Sequence, residues 1–201
     1  MTELDGSGGL ARRRRSLGAA ALAAVILVAA GVAWWAPWRG GAIIGTELRS
    51  FPAVDGSALD STQARIVDVV RTEFDAQPSG TKYSEGAEES WCADFVSWTL
   101  REVGEPLSNP NSGSWRIPGV YTLQEYYESV GRFRPVDSGY VPKTGDVALY
   151  SPSSPFGQHT NFVIGYDAGT LTTVGGNEAD AIKAHRFTVS DAPGLLGYGV
   201  L

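Results

Sequence analysis

Cysteine and histidine are both scarce in this chain, which has one cysteine, Cys92, and two histidines, His159 and His185. A single cysteine cannot form an intrachain disulfide, so disulfide bonds do not hold this fold together. Its thiol is then either a small buried apolar group or a reactive group. No histidine or cysteine pair has the short spacing of a zinc site, so we predict no metal and no cofactor.

Positive charge is scarce beyond the N-terminal segment. The whole chain has 16 Lys/Arg and 22 Asp/Glu, of which residues 1–41 hold five and two, so residues 42–201 hold 11 and 20, a net charge of −9. An acidic segment of this kind is a poor partner for nucleic acid or an anionic surface, and we predict no nucleic-acid binding.

One long apolar run, residues 17–36, contains no charged residue and has about the length needed to cross a membrane. Arginines 12–15 precede it and tryptophans 34, 35 and 38 lie at its far end, so residues 1–16 should be cytoplasmic and the residues after Arg39 extracytoplasmic. A cleaved secretory signal is the alternative, but the length of the run and its Trp-rich end favour a retained single-pass signal anchor in the cell membrane.

The remaining chain reads as a linker, residues 37–60, followed by one domain, residues 61–201. Apolar residues recur three or four positions apart after Ser61, which we take as a helix cap, after Trp91 and from about Thr122 to Val130, and these patterns predict three helices. Five short strands follow, at 146–150, 159–166, 170–175, 183–189 and 196–201. The order predicts an α+β domain with N-terminal helices packed on an antiparallel β-sheet.

The only cysteine and one histidine fall where a nucleophile site needs them. Cys92 comes at the predicted start of a helix, whose partial positive charge stabilises a thiolate. His159 begins a strand, and a hairpin centred on Ala168 pairs it with Asn177, nine residues beyond the centre. In this interpretation Cys92 attacks a carbonyl, His159 moves the proton and Asn177 orients the imidazole ring.

The chain resembles the CHAP domains (cysteine, histidine-dependent amidohydrolases/peptidases), relatives of the NlpC/P60 hydrolases in the papain-like clan. Four segments carry the resemblance, in family order within about residues 62–201: WCADFVSW (91–98), TGDVALY (144–150), QHTNFV (158–163) and VGGNE (174–178). The resemblance implies a papain-like fold, a Cys92 nucleophile, a His159 base and Asn177 as third residue, with Glu178 as the alternative. It also implies hydrolysis of amide bonds in peptidoglycan stem peptides, as an N-acetylmuramoyl-L-alanine amidase or a peptide endopeptidase.

Other residues near these motifs have less specific interpretations. Tyr83, Trp91 and Trp115 are candidates for lining a substrate cleft, although aromatic residues are more often core or rim. Asp94 is expected to interact with the helix dipole, Asp146 to fix a turn, and His185 to lie on the surface. The rival function is a catalytically silent domain that binds wall fragments or a partner protein. The sequence identifies no protein regulator.

Overall fold

The computed structural model describes residues 45–201. Within this part of the chain, three α-helices and a seven-stranded antiparallel sheet confirm the predicted α+β class. The helices are α1 (Ser61–Ala76), α2 (Cys92–Glu102) and α3 (Val120–Ser129). The strands are β1 (Thr46–Leu48), β2 (Phe133–Pro135), β3 (Val147–Tyr150), β4 (His159–Asp167), β5 (Thr170–Gly175), β6 (Lys183–Thr188) and β7 (Leu195–Gly199).

The N-terminal cap of α1 is Asp60, one residue before the predicted cap Ser61. An Asp60 carboxylate oxygen accepts hydrogen bonds from the backbone N–H groups of Thr62 and Gln63, both 2.9 Å long. The Gln63 side chain accepts one in return from the Asp60 N–H. This reciprocal pair is a capping box, and it satisfies N–H groups that the first helical turn leaves without partners.

The sheet has the strand order β1-β6-β5-β4-β3-β7-β2, which places β4 at its centre. Successive residues of β3 belong alternately to two apolar clusters, so the clusters lie on opposite faces of the sheet. One cluster joins the helices to the sheet, for example where Phe95 of α2 meets Phe162 of β4 edge to face. The central helix α2 is thereby fixed against the central strand.

Two short strands were not predicted. β1 lies within residues 37–60, the segment interpreted as a linker, and pairs with β6 from Thr46↔Arg186 to Leu48↔Ala184. β2 pairs with β7 at the other edge of the sheet. Each is three residues long, too short for apolar alternation to distinguish it from a loop.

Residues 45–201 include no helix that is both long enough and apolar enough to span a membrane. The predicted anchor, residues 17–36, and the predicted cytoplasmic segment, residues 1–16, lie outside the described residues.

Candidate active site

Cys92 is the first residue of α2, as predicted, and its exposed fraction is 5%. No side chain caps this helix end, since Trp91 occupies the cap position without a side-chain hydrogen bond. The first N–H groups of the helix are therefore available to a negative charge, and the helix dipole adds to their effect. A thiolate or an oxyanion fits this position chemically.

Packing and a hydrogen-bonded serine hold the start of α2 in place. Ser97 is completely buried, and its hydroxyl donates to the Ala93 carbonyl and accepts from the Ile117 N–H. Asp94 forms an ion pair with Arg116, with a distance of 2.8 Å between Oδ1 and Nε, and Arg116 also contacts Glu89. Asp94 therefore ties the loop before α3 to the nucleophile's helix, in addition to lying near the helix dipole.

His159 is the first residue of β4, directly opposite Tyr150 of β3, and only 4% of it is exposed. Its ring lies beside both Cys92 and Glu178, and both residues act on its pKa. The structure thus brings together Cys92 and His159, two residues 67 positions apart that were selected from the sequence as nucleophile and base.

The residue that lies beside the His159 ring is Glu178, which the sequence analysis named as the alternative to the preferred Asn177. The Glu178 Oε1 atom lies 3.4 Å from the His159 Nε2 atom. The β4–β5 ladder shifts register between Val163 and Gly165, and β5 ends at Gly175, so Asn177 lies beyond the paired strands. Asn177 adopts a left-handed φ of 64°, and strand alternation no longer decides which side chain faces the histidine.

His185 also requires correction, because it was assigned to the surface and is 99% buried, with 1% exposed. Its Nε2 atom lies 2.5 Å from Oε2 of Glu178, so the carboxylate bridges two histidines. One feature of the sequence could have indicated this burial. Phe187 lies two residues after His185 on β6, so the two side chains share a face of the strand, and Phe187 is buried. The contact with Glu178 itself depends on the loop after β5 and could not be predicted.

Phe156 was not singled out from the sequence, although its ring contacts both histidines. Its centroid lies 5.3 Å from that of His159 and 5.2 Å from that of His185. Phe156 is half-buried and comes from the loop between β3 and β4. It therefore limits the access of water to the imidazole rings.

The electrostatics of this cluster favour a charged histidine beside the thiol. Burial lowers the pKa of His159, but hydrogen bonds to Cys92 and Glu178 and their charges raise it more, to about 9. Burial raises the pKa of Glu178, but the hydrogen bonds and charges of the two histidines bring it below its ordinary value. At neutral pH the site thus holds an imidazolium between the Glu178 carboxylate and Cys92, the arrangement that activates a cysteine nucleophile.

Tyr83 and Trp91, two of the predicted cleft residues, belong instead to the core. Tyr83 is 0% exposed, and its hydroxyl donates to the buried carboxylate of Glu73 over 2.7 Å. Trp91 is 4% exposed, stacks on Tyr83 and lies against Gly80 and Gly176. Both rings are enclosed by protein, so neither lines an open cleft.

The remaining candidates have simple surroundings. Trp115 is half-buried beneath the Arg101 guanidinium, which lies 4.3 Å from its ring centroid, and a role in substrate binding stays a prediction. Asp146 accepts hydrogen bonds from the Tyr140 hydroxyl and the Lys143 N–H, the turn-fixing role that was expected. Within residues 45–201, no group of three or more His, Cys, Asp or Glu side chains is arranged to hold a metal ion.

Comparison with models of protein families matches residues 82–177 to the CHAP domain. The match includes Cys92, His159 and Asn177 and ends one residue before Glu178. No curated protein and no solved structure matches the chain. The match confirms the resemblance to the CHAP domain family over residues 82–177, the part of the chain that holds Cys92 and His159.

Proposed function

We propose that this protein is a membrane-anchored, extracytoplasmic cysteine hydrolase that cleaves amide bonds of peptidoglycan. The observation that carries the proposal is the buried contact chain of Cys92, His159 and Glu178 at the N-terminus of α2. The match of residues 82–177 to the CHAP domain family supports a peptidoglycan substrate. The apolar run at 17–36 and the arginines before it support the anchor and the orientation.

In the first half of the reaction, the Cys92 thiolate adds to the carbonyl carbon of the scissile amide. The backbone N–H of Cys92, which has no partner inside the first helical turn, faces the oxygen that becomes negative. The His159 imidazolium then gives its proton to the amide nitrogen, the C–N bond breaks and the amine leaves. A thioester between Cys92 and the acyl part of the substrate remains.

In the second half, neutral His159 takes a proton from a water molecule as that water attacks the thioester. The C–S bond breaks, the carboxylic acid product leaves and the thiolate–imidazolium pair returns. Glu178 keeps the ring oriented through Nε2, which leaves the ring's other nitrogen for the thiol. Its negative charge stabilises the imidazolium in both halves.

The test is digestion of purified cell walls by residues 42–201, which form one compact unit. We expect soluble muropeptides from the parent chain and none from Cys92→Ala or His159→Ala, because nucleophile and base act as a unit. Mass spectrometry of the products distinguishes an amidase, which cleaves the amide bond between the muramoyl group and alanine, from an endopeptidase, which cleaves a bond within the stem peptide.

Two results would contradict the proposal. Equal release of muropeptides by the parent and by Cys92→Ala would exclude the cysteine mechanism. Equal binding of walls by both, with no release by either, would replace the hydrolase with the silent binding domain.

A further inference from the structure

His185 is a buried titratable residue that no step of the proposed reaction uses. It lies on β6 with 1% exposure, and its Nε2 atom is 2.5 Å from Glu178 Oε2. We propose that His185 is a positioning residue, which donates a hydrogen bond to Oε2 of Glu178 and so holds the other carboxylate oxygen against His159. This inference rests on the proposed hydrolase function, because it assigns a role within the same site.

The backbone around Glu178 gives the carboxylate little support. Asn177, Ala179 and Asp180 all have left-handed φ angles, of 64°, 55° and 58°, a region that L-residues rarely occupy. One backbone hydrogen bond, from the Glu178 N–H to the Ala181 carbonyl, closes this turn. A carboxylate on such a turn takes its direction from the side chains that bind it, and these are the two histidines.

His185, in contrast, is held on a paired strand. It lies opposite Thr173 of β5 on one side and opposite Glu47 of β1 on the other. The Phe156 ring packs against its imidazole edge to face, with ring centroids 5.2 Å apart. The position of His185 therefore does not depend on Glu178, and its ring can hold the carboxylate in place.

The proton on this contact can be assigned from chemistry. An ionised carboxylate only accepts hydrogen bonds, so the hydrogen between the two groups is on Nε2 of His185. Nδ1 of His185 is buried and has no hydrogen-bond partner within residues 45–201, so the contact of Nε2 with Glu178 is the one side-chain hydrogen bond of this ring in that part of the chain. His185 thus acts as a donor at a single point.

Within residues 45–201, few titratable groups face this contact. His159 is faced by Cys92 from α2, by Glu178 from the loop after β5 and by Tyr150 from β3. Glu178 is faced by His159, by His185 and by the field of Tyr150. If His185 loses its donor, Glu178 becomes free to turn away, and the His159 imidazolium loses the negative charge beside it.

The test compares His185→Gln, which keeps an N–H donor, with His185→Met, which has a similar length and no donor. In both variants His159 is the only histidine, so its ring resonance in the untagged, full-length chain in detergent can be assigned directly and followed by NMR from pH 5 to pH 11, and comparison with the variants identifies the same resonance in the parent. In the parent and in His185→Gln, we expect the His159 titration midpoint near the pKa of about 9. In His185→Met we expect it about 1–3 pH units lower, because a neighbouring opposite charge is worth that much.

A merely structural role for His185 would lower the melting temperature and leave this midpoint unchanged, and that result would overturn the proposal. An equal fall in the Gln and Met variants would also overturn it, since the donor would then be irrelevant. If His185→Met does not fold, His185→Ala, which leaves space instead of filling it, must show the same fall. In a Glu178→Ala background, His185→Ala must cause no further fall.

The two proposals can fail separately. If the parent chain does not digest walls, the hydrolase proposal fails, but the effect of His185 on the titration midpoint of His159 can still be observed. An unchanged midpoint in a chain that digests walls would remove the positioning role and keep the hydrolase.

Discussion

The Glu178 carboxylate lies 3.4 Å from the His159 ring nitrogen Nε2, although neither residue is paired with the other in the sheet. The contact is made by a residue from an irregular turn and a residue at the start of a strand. The site therefore depends on the conformation of residues 175–181 as much as on the sheet.

This contact predicts the relative importance of Glu178 and Asn177. Glu178→Ala should lower kcat for wall hydrolysis by about 10²-fold, because His159 loses both its orienting partner and a compensating charge. Asn177→Gly, which removes the side chain but tolerates the left-handed φ of 64°, should have a much smaller effect. The measurement is the rate of muropeptide release, and a larger loss for Asn177→Gly would restore Asn177 as the third residue.

The pKa of His159 predicts a loss of stability at alkaline pH. Its folded-state value of about 9 lies above the ordinary value of 6.5, so its stabilising contribution is complete below about pH 6.5 and is lost as pH rises through about 9. Urea unfolding at several pH values should show the parent losing more free energy of unfolding between pH 7 and 10 than His159→Asn does. If the free energy of unfolding falls equally with pH in the two chains, His159 is not a stabilised cation.

Tyr83→Phe should affect stability and not catalysis. The variant leaves the buried Glu73 carboxylate without the 2.7 Å hydrogen bond from the tyrosine hydroxyl, although Lys82 still contacts it. We expect the free energy of unfolding to fall by about 1–3 kcal/mol. KM for wall fragments should be unchanged. A raised KM would support the earlier prediction that Tyr83 lines the substrate cleft.

Gly176 has no room for a side chain. A Cβ atom there would meet the Trp91 ring and lie 3.0 Å from the Phe95 Cβ atom. Gly176→Ala should therefore destabilise the protein by about 1–3 kcal/mol and also reduce activity, because the turn that carries Glu178 must move. Gly165→Ala, with nothing within 4 Å of the new methyl group, is the matched control and should melt close to the parent.

The proposed orientation can be tested in cells. Protease added to intact spheroplasts should digest residues 42–201 and leave a membrane-held fragment, because the arginines at 12–15 should stay in the cytoplasm. Spheroplasts that are opened first provide the control for protease access. Protection of the domain in intact spheroplasts would place it inside and remove the wall as its substrate.

Much of this fold could be predicted because its signals are local. The start of α2 at Cys92 and the five strands β3 to β7 follow from periodicity and turn residues, and the observed strand boundaries lie within one or two residues of the predicted ones. The pairing of Cys92 with His159 followed from their chemistry and scarcity. These inferences needed no knowledge of long-range packing.

The errors lie where packing between distant elements decides. A register shift at Ile164 and the left-handed turn after Gly175 removed Asn177 from the ladder, and neither has a local signal in the sequence. The burial of His185 depends on its contacts with β5, β1 and Glu178. Tyr83 and Trp91 became core residues because glycines 80 and 176 let the Trp91 ring pack closely.

The place of β1 has a practical consequence for producing this protein. Residues 46–48 cover the outer side of β6, the strand that carries His185. A shortened chain that begins at Ser61, where the helices start, would leave β6 as an open edge with unpaired N–H and C=O groups, which promotes self-association. Residues 46–48, which the sequence analysis placed in the linker, therefore protect the strand that carries His185. A truncated version of the protein needs to begin before Gly45.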